Sequence, residues 1–431
     1  MFVGITNTPR PYAWGSPTAI AELLGRASSG GPEAELWLGA HPGSPSLIID
    51  PPQVAGSPDL AAWIAADPAS ALGRLASAGR LPFLLKILAA GRPLSLQAHP
   101  SAEQARLGFE RENAAGIPID APQRNYRDPF PKPELVYALS PTFEALCGFR
   151  PAAETRAIVR TLLRMDARSA TPQPQILQDL LERVDDLPKV FEWLISNGPG
   201  VAGLVDRVCA VAALGGGLGA GLDTGLCAGL DAGLGTALDA RVDAGLDTRG
   251  EIDSELATVR LLAAEYPGDP GIVISLLLNQ VTLRQGEALY LPAGNIHAYL
   301  EGVGVELMTA SDNVLRGGLT PKHVDVPELL RVLDFTPGPV PYSRPSVPSA
   351  GVSVYRPSAA DFVLVHIHGD PVDATYDLIG PGIAICTKGA VSIAGAVSSV
   401  TLRRGHAVYI TPDEGTLAFC GSGQVFVATT Q

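Results

Sequence analysis

The chain has 431 residues, of which 46% are hydrophobic and 17% charged, enough apolar surface for two or three domains with full cores. A formal net charge of −13 excludes the broad basic face that nucleic acid or an anionic membrane requires, and five scattered cysteines without a CxxC pair exclude a disulfide framework and a thiolate zinc site. No clean apolar run is long enough to span a bilayer, and the first residues lack a basic region followed by an apolar core, so the cytoplasm is the expected compartment.

Residues 1–50 mix short apolar runs with Pro, Gly and Ser, as in PYAWGS at 11–16 and ELWLGAHPGSPS at 35–46, and read as strands joined by ordered loops. His41, followed by Pro42 and Gly43, reads as a turn histidine at the edge of a site, outside any metal shell. Residues 59–78 carry Ala and Leu at helical spacing, with Ser57 or Asp59 as the cap.

At residues 81–100, LPFLLKILAAGRPLSLQAHP, the period changes to that of buried strands. Lys86 lies in the first apolar run and must aim its ammonium at a partner, because an unpaired buried charge is expensive. Residues 93–99 form a second predicted strand, whose two-residue period places Ser95, Gln97 and His99 on one face. Further on, Lys132-Pro133-Glu134 leads straight into Leu135-Val136-Tyr137, setting a carboxylate at the mouth of a strand.

Residues 151–200 repeat apolar side chains every three to four positions and are helical, as is the stretch at 255–266. Between them, residues 214–246 place Leu at every fourth position up to 238, with Asp recurring at 223, 231, 239 and 247. Glycine opposes a helix there, at roughly 1 kcal/mol per residue relative to alanine, and the spacing does not match a calcium-binding repeat, so a weakly packed excursion is expected.

Gly286, five residues, Pro292, one residue, Gly294, two residues and His297 describe a strand, a tight turn and a return strand that opens on a metal-ligating side chain. With Gln97, His99 and Glu134, His297 completes a nitrogen and oxygen donor set suited to zinc. One carboxylate and three neutral ligands would leave the ion a net positive charge, as a Lewis acid needs. Beyond His297 a polar segment brings Glu306, Asp312, Asn313, Arg316 and Lys322.

These motifs together resemble class I mannose-6-phosphate isomerase, also called phosphomannose isomerase, a family of the cupin superfamily. The resemblance runs through PYAWGS, ELWLGAHP, LPFLLKIL, LSLQAHP, NYRDPFPKPELVYAL, GEALYLPAGNIHAYLEG and SDNVLRGGLTPKH, in the family's order. It implies a mainly β fold of cupin jelly-roll barrels with an inserted α-helical domain, and one zinc ion per chain on Gln97, His99, Glu134 and His297. It also implies interconversion of mannose 6-phosphate and fructose 6-phosphate through an enediolate, with Arg316 in the position of the family's catalytic arginine. Many bacterial relatives carry a histidine just before the Lys-Pro-Glu triplet; Pro131 stands there in this chain.

Such a reaction needs a base, a stabiliser for the enediolate oxygens and a holder for the phosphate. Glu306, Asp312 and Lys132 are the proton-handling candidates, Arg316 the stabiliser, and Lys86 and Ser95 the phosphate candidates. The expected division is a discontinuous catalytic domain at 1–150 and 266–335, an inserted helical domain at 151–265 with a low-complexity segment at 214–250, and a degenerate cupin-like β domain at 336–431. In that last part GHAVYITPDEG echoes the His297 turn without its histidine, and His366 and His368 share a strand face without a carboxylate motif. The alternative is a metal-binding cupin that senses or scaffolds a sugar without catalysis. The partner expected is a small phosphosugar, with neither nucleic acid nor membrane, and the chain is expected to be a monomer.

Overall fold

The computed structural model describes residues 1–214 and 252–431; the Gly/Leu/Asp repeat of residues 215–246 lies outside them. The chain divides into two compact units, Met1–Phe149 with Leu278–Gln431, and Arg150–Leu277.

The first unit is built on two antiparallel sheets. In chain order its strands are β1 (Phe2–Thr6), β2 (Glu35–Leu38), β3 (Leu47–Ile48), β4 (Phe83–Ala90), β5 (Gln97–Ala98), β6 (Glu134–Ala138), β7 (Thr142–Phe149), β8 (Leu278–Arg284) and β9 (Ala288–Leu291). They continue with β10 (His297–Thr309), β11 (Leu315–Arg316), β12 (Ser346–Ser349), β13 (Val352–Tyr355), β14 (Phe362–Asp377), β15 (Gly382–Ala394), β16 (Ser399–Arg403), β17 (Ala407–Ile410) and β18 (Thr416–Thr430). One sheet follows the order β11-β5-β10-β4-β2, with β6 and β7 also on β10; the other runs β12-β13-β14-β18-β15-β17-β1-β3. The first residues of the chain thus belong to the sheet made mostly by its last hundred, through Phe2 opposite Ile410 and Ile5 opposite Ala407.

Alternation assigns each strand two jobs. On β4, β6 and β10 one face carries Leu85, Ile87, Leu135, Tyr137, Val305 and Leu307, which pack against Tyr355, Phe362, Leu364, Ile385 and Phe426 of the other sheet. The opposite face carries Lys86, Glu134 and Glu306 together with Leu88 and Val136, the latter two in a separate apolar cluster with Phe143 and Tyr299. A third cluster, with Val363, Val365, Phe419 and Val427, fills the interior of the C-terminal sheet.

Three differences from the expected elements have local causes. The stretch 59–78 is not one helix but Leu60–Ala66, Pro68–Leu72 and a tighter turn Gly73–Ala78, because Pro68 restarts the helix and the Asp67 carboxylate caps the new start. The strand expected at 93–99 shortens to Gln97–Ala98, and His99 lies just beyond it. A helix at Ala102–Ala114 that periodicity left unassigned is started by a capping box, Ser101 with Gln104.

The second unit is helical among the described residues. Ala152–Asp166, Pro174–Arg183, Leu187–Ile195 and Val201–Leu214 lead up to the undescribed stretch, and Asp253–Glu265 and Gly271–Ile274 follow it. Its core includes Leu162, Leu180, Phe191, Val208 and Leu262, with a buried Arg207 and Asp166 ion pair. No helix among the described residues is long and apolar enough to cross a membrane.

Candidate active site

The site is assembled by strand register. Opposite Glu306 of β10 stand Lys86 of β4 and Val136 of β6; Met308 faces Glu134, and Trp37 of β2 faces Lys86. His297 opens β10 opposite Gln97, which also faces Arg316 of β11. An irregularity between Tyr299 and Glu301 shifts the alternation of β10, so that His297 and Tyr299 before it share the inner face with Glu306 after it. The turn before His297 is tied to the other histidine directly: the Gly294 N–H donates to the His99 carbonyl at 2.8 Å. Gly294 sits at φ +78°, and a Cβ there would lie 3.0 Å from the Val332 carbonyl oxygen, so only glycine fits the turn unstrained.

Donor atoms of His99, Glu134 and His297 lie within 4.8 Å of one another, all buried. His99 Nδ1 donates to the Asn313 carbonyl at 2.8 Å and His297 Nδ1 to the Asn295 carbonyl at 3.0 Å. A carbonyl accepts only, so each ring keeps its proton on Nδ1 and turns an Nε2 lone pair inward. Those lone pairs stand 3.3 Å from the two Glu134 oxygens, and His99 Nε2 and Glu134 Oε2 make no hydrogen bond among the described residues. Lone pairs converging without a proton between them suit a cation. Gln97 brings its amide to 3.3 Å from His297 Nε2, where turning it over offers the oxygen.

The electrostatics keep these groups in ligand form. Burial would raise the Glu134 pKa, but Lys132 Nζ at 3.0 Å and the neighbouring histidines outweigh it and hold the carboxyl well below the usual range. Burial, reinforced by the Lys132 charge, holds His99 down at about 4, so its ring stays neutral at pH 7.

Beside this group lies a buried charge ladder. Lys86 Nζ is 3.0 Å from Glu306 and 3.4 Å from Glu35, with Trp37 Nε1 donating to the other Glu35 oxygen at 2.8 Å and Tyr299 donating to Glu306 at 3.0 Å. Burial works against the Lys86 charge, but Glu306 and Glu35 outweigh it and push its pKa up. Burial also raises Glu306, helped by Glu134 and Glu35, in spite of Lys86. With three carboxylates around one ammonium, Lys86 keeps its proton.

Two residues that sequence reasoning did not single out for the phosphate complete the surroundings. Arg316 donates to Ser95 at 3.1 Å, and its pKa is depressed first by burial and then by the charge of Arg127. Lys322 is depressed chiefly by Arg316, with burial and Arg127 adding to it. Neither the Arg127 nor the Lys322 side chain has an ion-pair partner among the described residues, and the charges of Arg127, Arg316 and Lys322 repel one another. The sequence signal available was the pair of basic residues in NYRDP and TPKH.

The family model "Phosphomannose isomerase type I, catalytic domain" matches residues 2–152. The mannose-6-phosphate isomerase of Escherichia coli (strain K12) is 34% identical, over 98% of this chain and 97% of that one, and the human enzyme is 30% identical over 94% and 92%. The chain belongs to the type I phosphomannose isomerase family. Its backbone also superposes on a zinc-bound crystal structure of mannose 6-phosphate isomerase with a TM-score of 0.80 at 31% identity, over 100% of this chain and 99% of that one. The apo form from Salmonella typhimurium gives 0.80 at 30% over the same shares. Against this phosphomannose isomerase background, Gln97, His99, Glu134 and His297 come together as one group. Lys132, Lys86 and Glu306 surround it, while Ser95 and Arg316 meet at its basic side. Asp312, whose side chain is 44% exposed, stands apart from Glu306 and pairs with His41.

Proposed function

We propose that the chain is a zinc-dependent aldose–ketose isomerase that interconverts mannose 6-phosphate and fructose 6-phosphate by proton transfer through an enediolate. The observation that carries this reading is the convergence of two histidine lone pairs on a buried, proton-free carboxylate, in a chain of this family. Gln97, His99, Glu134 and His297 would hold the zinc, which supplies Lewis-acid charge when bound.

The remaining work falls to the chain's own side chains. Arg127, Lys322 and Ser95 take the phosphate, whose two negative charges relieve the repulsion among the cations. Lys86 was expected at the phosphate; its engagement with Glu306 and Glu35 supports instead a role in holding the buried carboxylates. Arg316, bonded to Ser95, stabilises the negative charge that develops on the enediolate. Among the proton-handling candidates, Glu306 is closed in by Lys86 and Tyr299, whereas Asp312 has an exposed edge, and we assign Asp312 the base role with Lys132 returning protons to oxygen. The helical unit Arg150–Leu277 is proposed to be the inserted domain of this fold, and the molecule to act as a cytoplasmic monomer on a small phosphosugar.

The test is conversion of mannose 6-phosphate by purified protein, before and after chelation and with zinc restored. Activity lost to the chelator and recovered with zinc is the expected result. A folded, zinc-loaded protein that converts neither sugar would leave the binding cupin as the better reading.

A further inference from the structure

His41, a turn histidine at the edge of the site, is 5% exposed and lies with Nε2 3.3 Å from Asp312 Oδ1. Its other nitrogen decides the direction of that bond. The Gly43 backbone N–H donates to His41 Nδ1 at 3.1 Å, so Nδ1 carries no proton and Nε2–H donates to Asp312. This is the opposite tautomer to that of His99 and His297. The ring is fixed from two further sides. Trp37 meets it edge-on with centroids 4.9 Å apart, and Gly43 lacks the Cβ that would press within 3.2 Å of Nδ1. Trp37 in turn is held by Glu35, the partner of Lys86, so the Asp312 loop is braced against the buried charge ladder.

We propose that His41 is a positioning residue for Asp312: it orients the carboxylate through Nε2–H. This rests on the isomerase reading above. Burial raises the Asp312 pKa, and the hydrogen bond from His41, with Lys132 and Arg127 facing the same carboxylate, brings it below its usual value. Asp128 also holds the loop, its Oδ2 accepting from the Asp312 N–H at 2.8 Å.

The experiment compares zinc-loaded wild type with His41→Ala, His41→Asn and His41→Gln. A glutamine amide reaches where Nε2 lies, whereas an asparagine amide reaches only as far as Nδ1. His41→Ala and His41→Asn should lose roughly ten- to a hundredfold in kcat with KM and zinc content unchanged, and His41→Gln should recover most of it. Without the His41 donor the Asp312 pKa rises, so the acid limb of the kcat/KM profile should move to higher pH in His41→Ala. Unchanged kcat and acid limb in His41→Ala, or His41→Gln as impaired as His41→Ala, would overturn the proposal. Nitrogen-15 NMR of wild-type His41 gives a readout free of turnover: a proton on Nε2 supports the proposal and a proton on Nδ1 sinks it. Inactive wild type would count against the isomerase reading alone, since the NMR measurement still decides the hydrogen bond.

Discussion

The two sheets of the first unit use the same hairpin with opposite fillings. Ahead of one turn Gly286 sits at φ +95° and ahead of the other Gly405 at +87°; within them Gly294 is at +78° and Gly415 at +58°. Each turn feeds a long strand, β10 or β18. On the inner face β10 carries His297, Tyr299 and Glu306, where β18 carries Leu417, Phe419, Val425 and Val427. Even the buried carboxylates differ. Both Glu414 oxygens are taken up by Ser398, the Val397 N–H and the chain's N-terminus, whereas Glu134 Oε2 has no hydrogen bond among the described residues. The backbone device is therefore neutral as to function, and the side chains it presents decide whether a sheet packs or binds.

The sharpest way to break this comparison is to neutralise the carboxylate that sets the two sheets apart. Glu134→Gln keeps the shape and removes the charge that gathers His99, His297 and Lys132. Zinc content should collapse and turnover fall on the order of a thousandfold. Full zinc occupancy with full turnover would show that the charge is not what distinguishes this sheet. Smaller effects separate the two sides of the site. Arg316→Ala should lower kcat about a hundredfold or more with zinc retained. Lys322→Ala should instead raise KM about tenfold and leave kcat nearly intact, with the shift shrinking as salt is added. Equal losses of kcat in both variants would merge the phosphate and enediolate roles that the proposal keeps apart.

Much of this difference was legible in the sequence, because His297, Glu134, Gln97 and His99 sit in turns and strand ends whose local chemistry announces them. What sequence could not carry was register. Nothing local says that Lys86 faces Glu306 across β4 and β10, or that its ammonium lies between Glu306 and Glu35. The pairing of His41 with Asp312 spans most of the chain and has no periodic signature. Arg127 and Lys322 become informative only when their mutual repulsion with Arg316 is visible. By contrast the helix at Ala102–Ala114 is announced locally by Ser101 and Gln104, a capping box that apolar spacing alone does not reveal.

The smallest expected effect concerns the place where the two sheets touch. His366 of β14 is buried there, stacked on Phe426 at 4.3 Å between centroids, with Nδ1 3.2 Å from the Tyr137 hydroxyl and Nε2 without a partner among the described residues. Burial, with the adjacent His368, pulls its pKa down to about 3. A histidine unfolded near 6.5 therefore binds a proton that the folded site refuses. Stability from this group is fully present above pH 6.5 and declines as pH falls toward 3, by about 1.4 kcal/mol per unit across that window. His366→Phe keeps the stack and removes the titration. Carboxylates elsewhere lose stability in the same range, so the readout is the difference between the two proteins: the stability of wild type relative to His366→Phe should fall steadily below pH 6.5 in urea melts. Parallel curves would mean that protonation at this contact is tolerated. Zinc content and turnover at pH 7.5 should be alike in the two proteins, as expected if this contact packs the sheets and the opposite face of β10 does the chemistry.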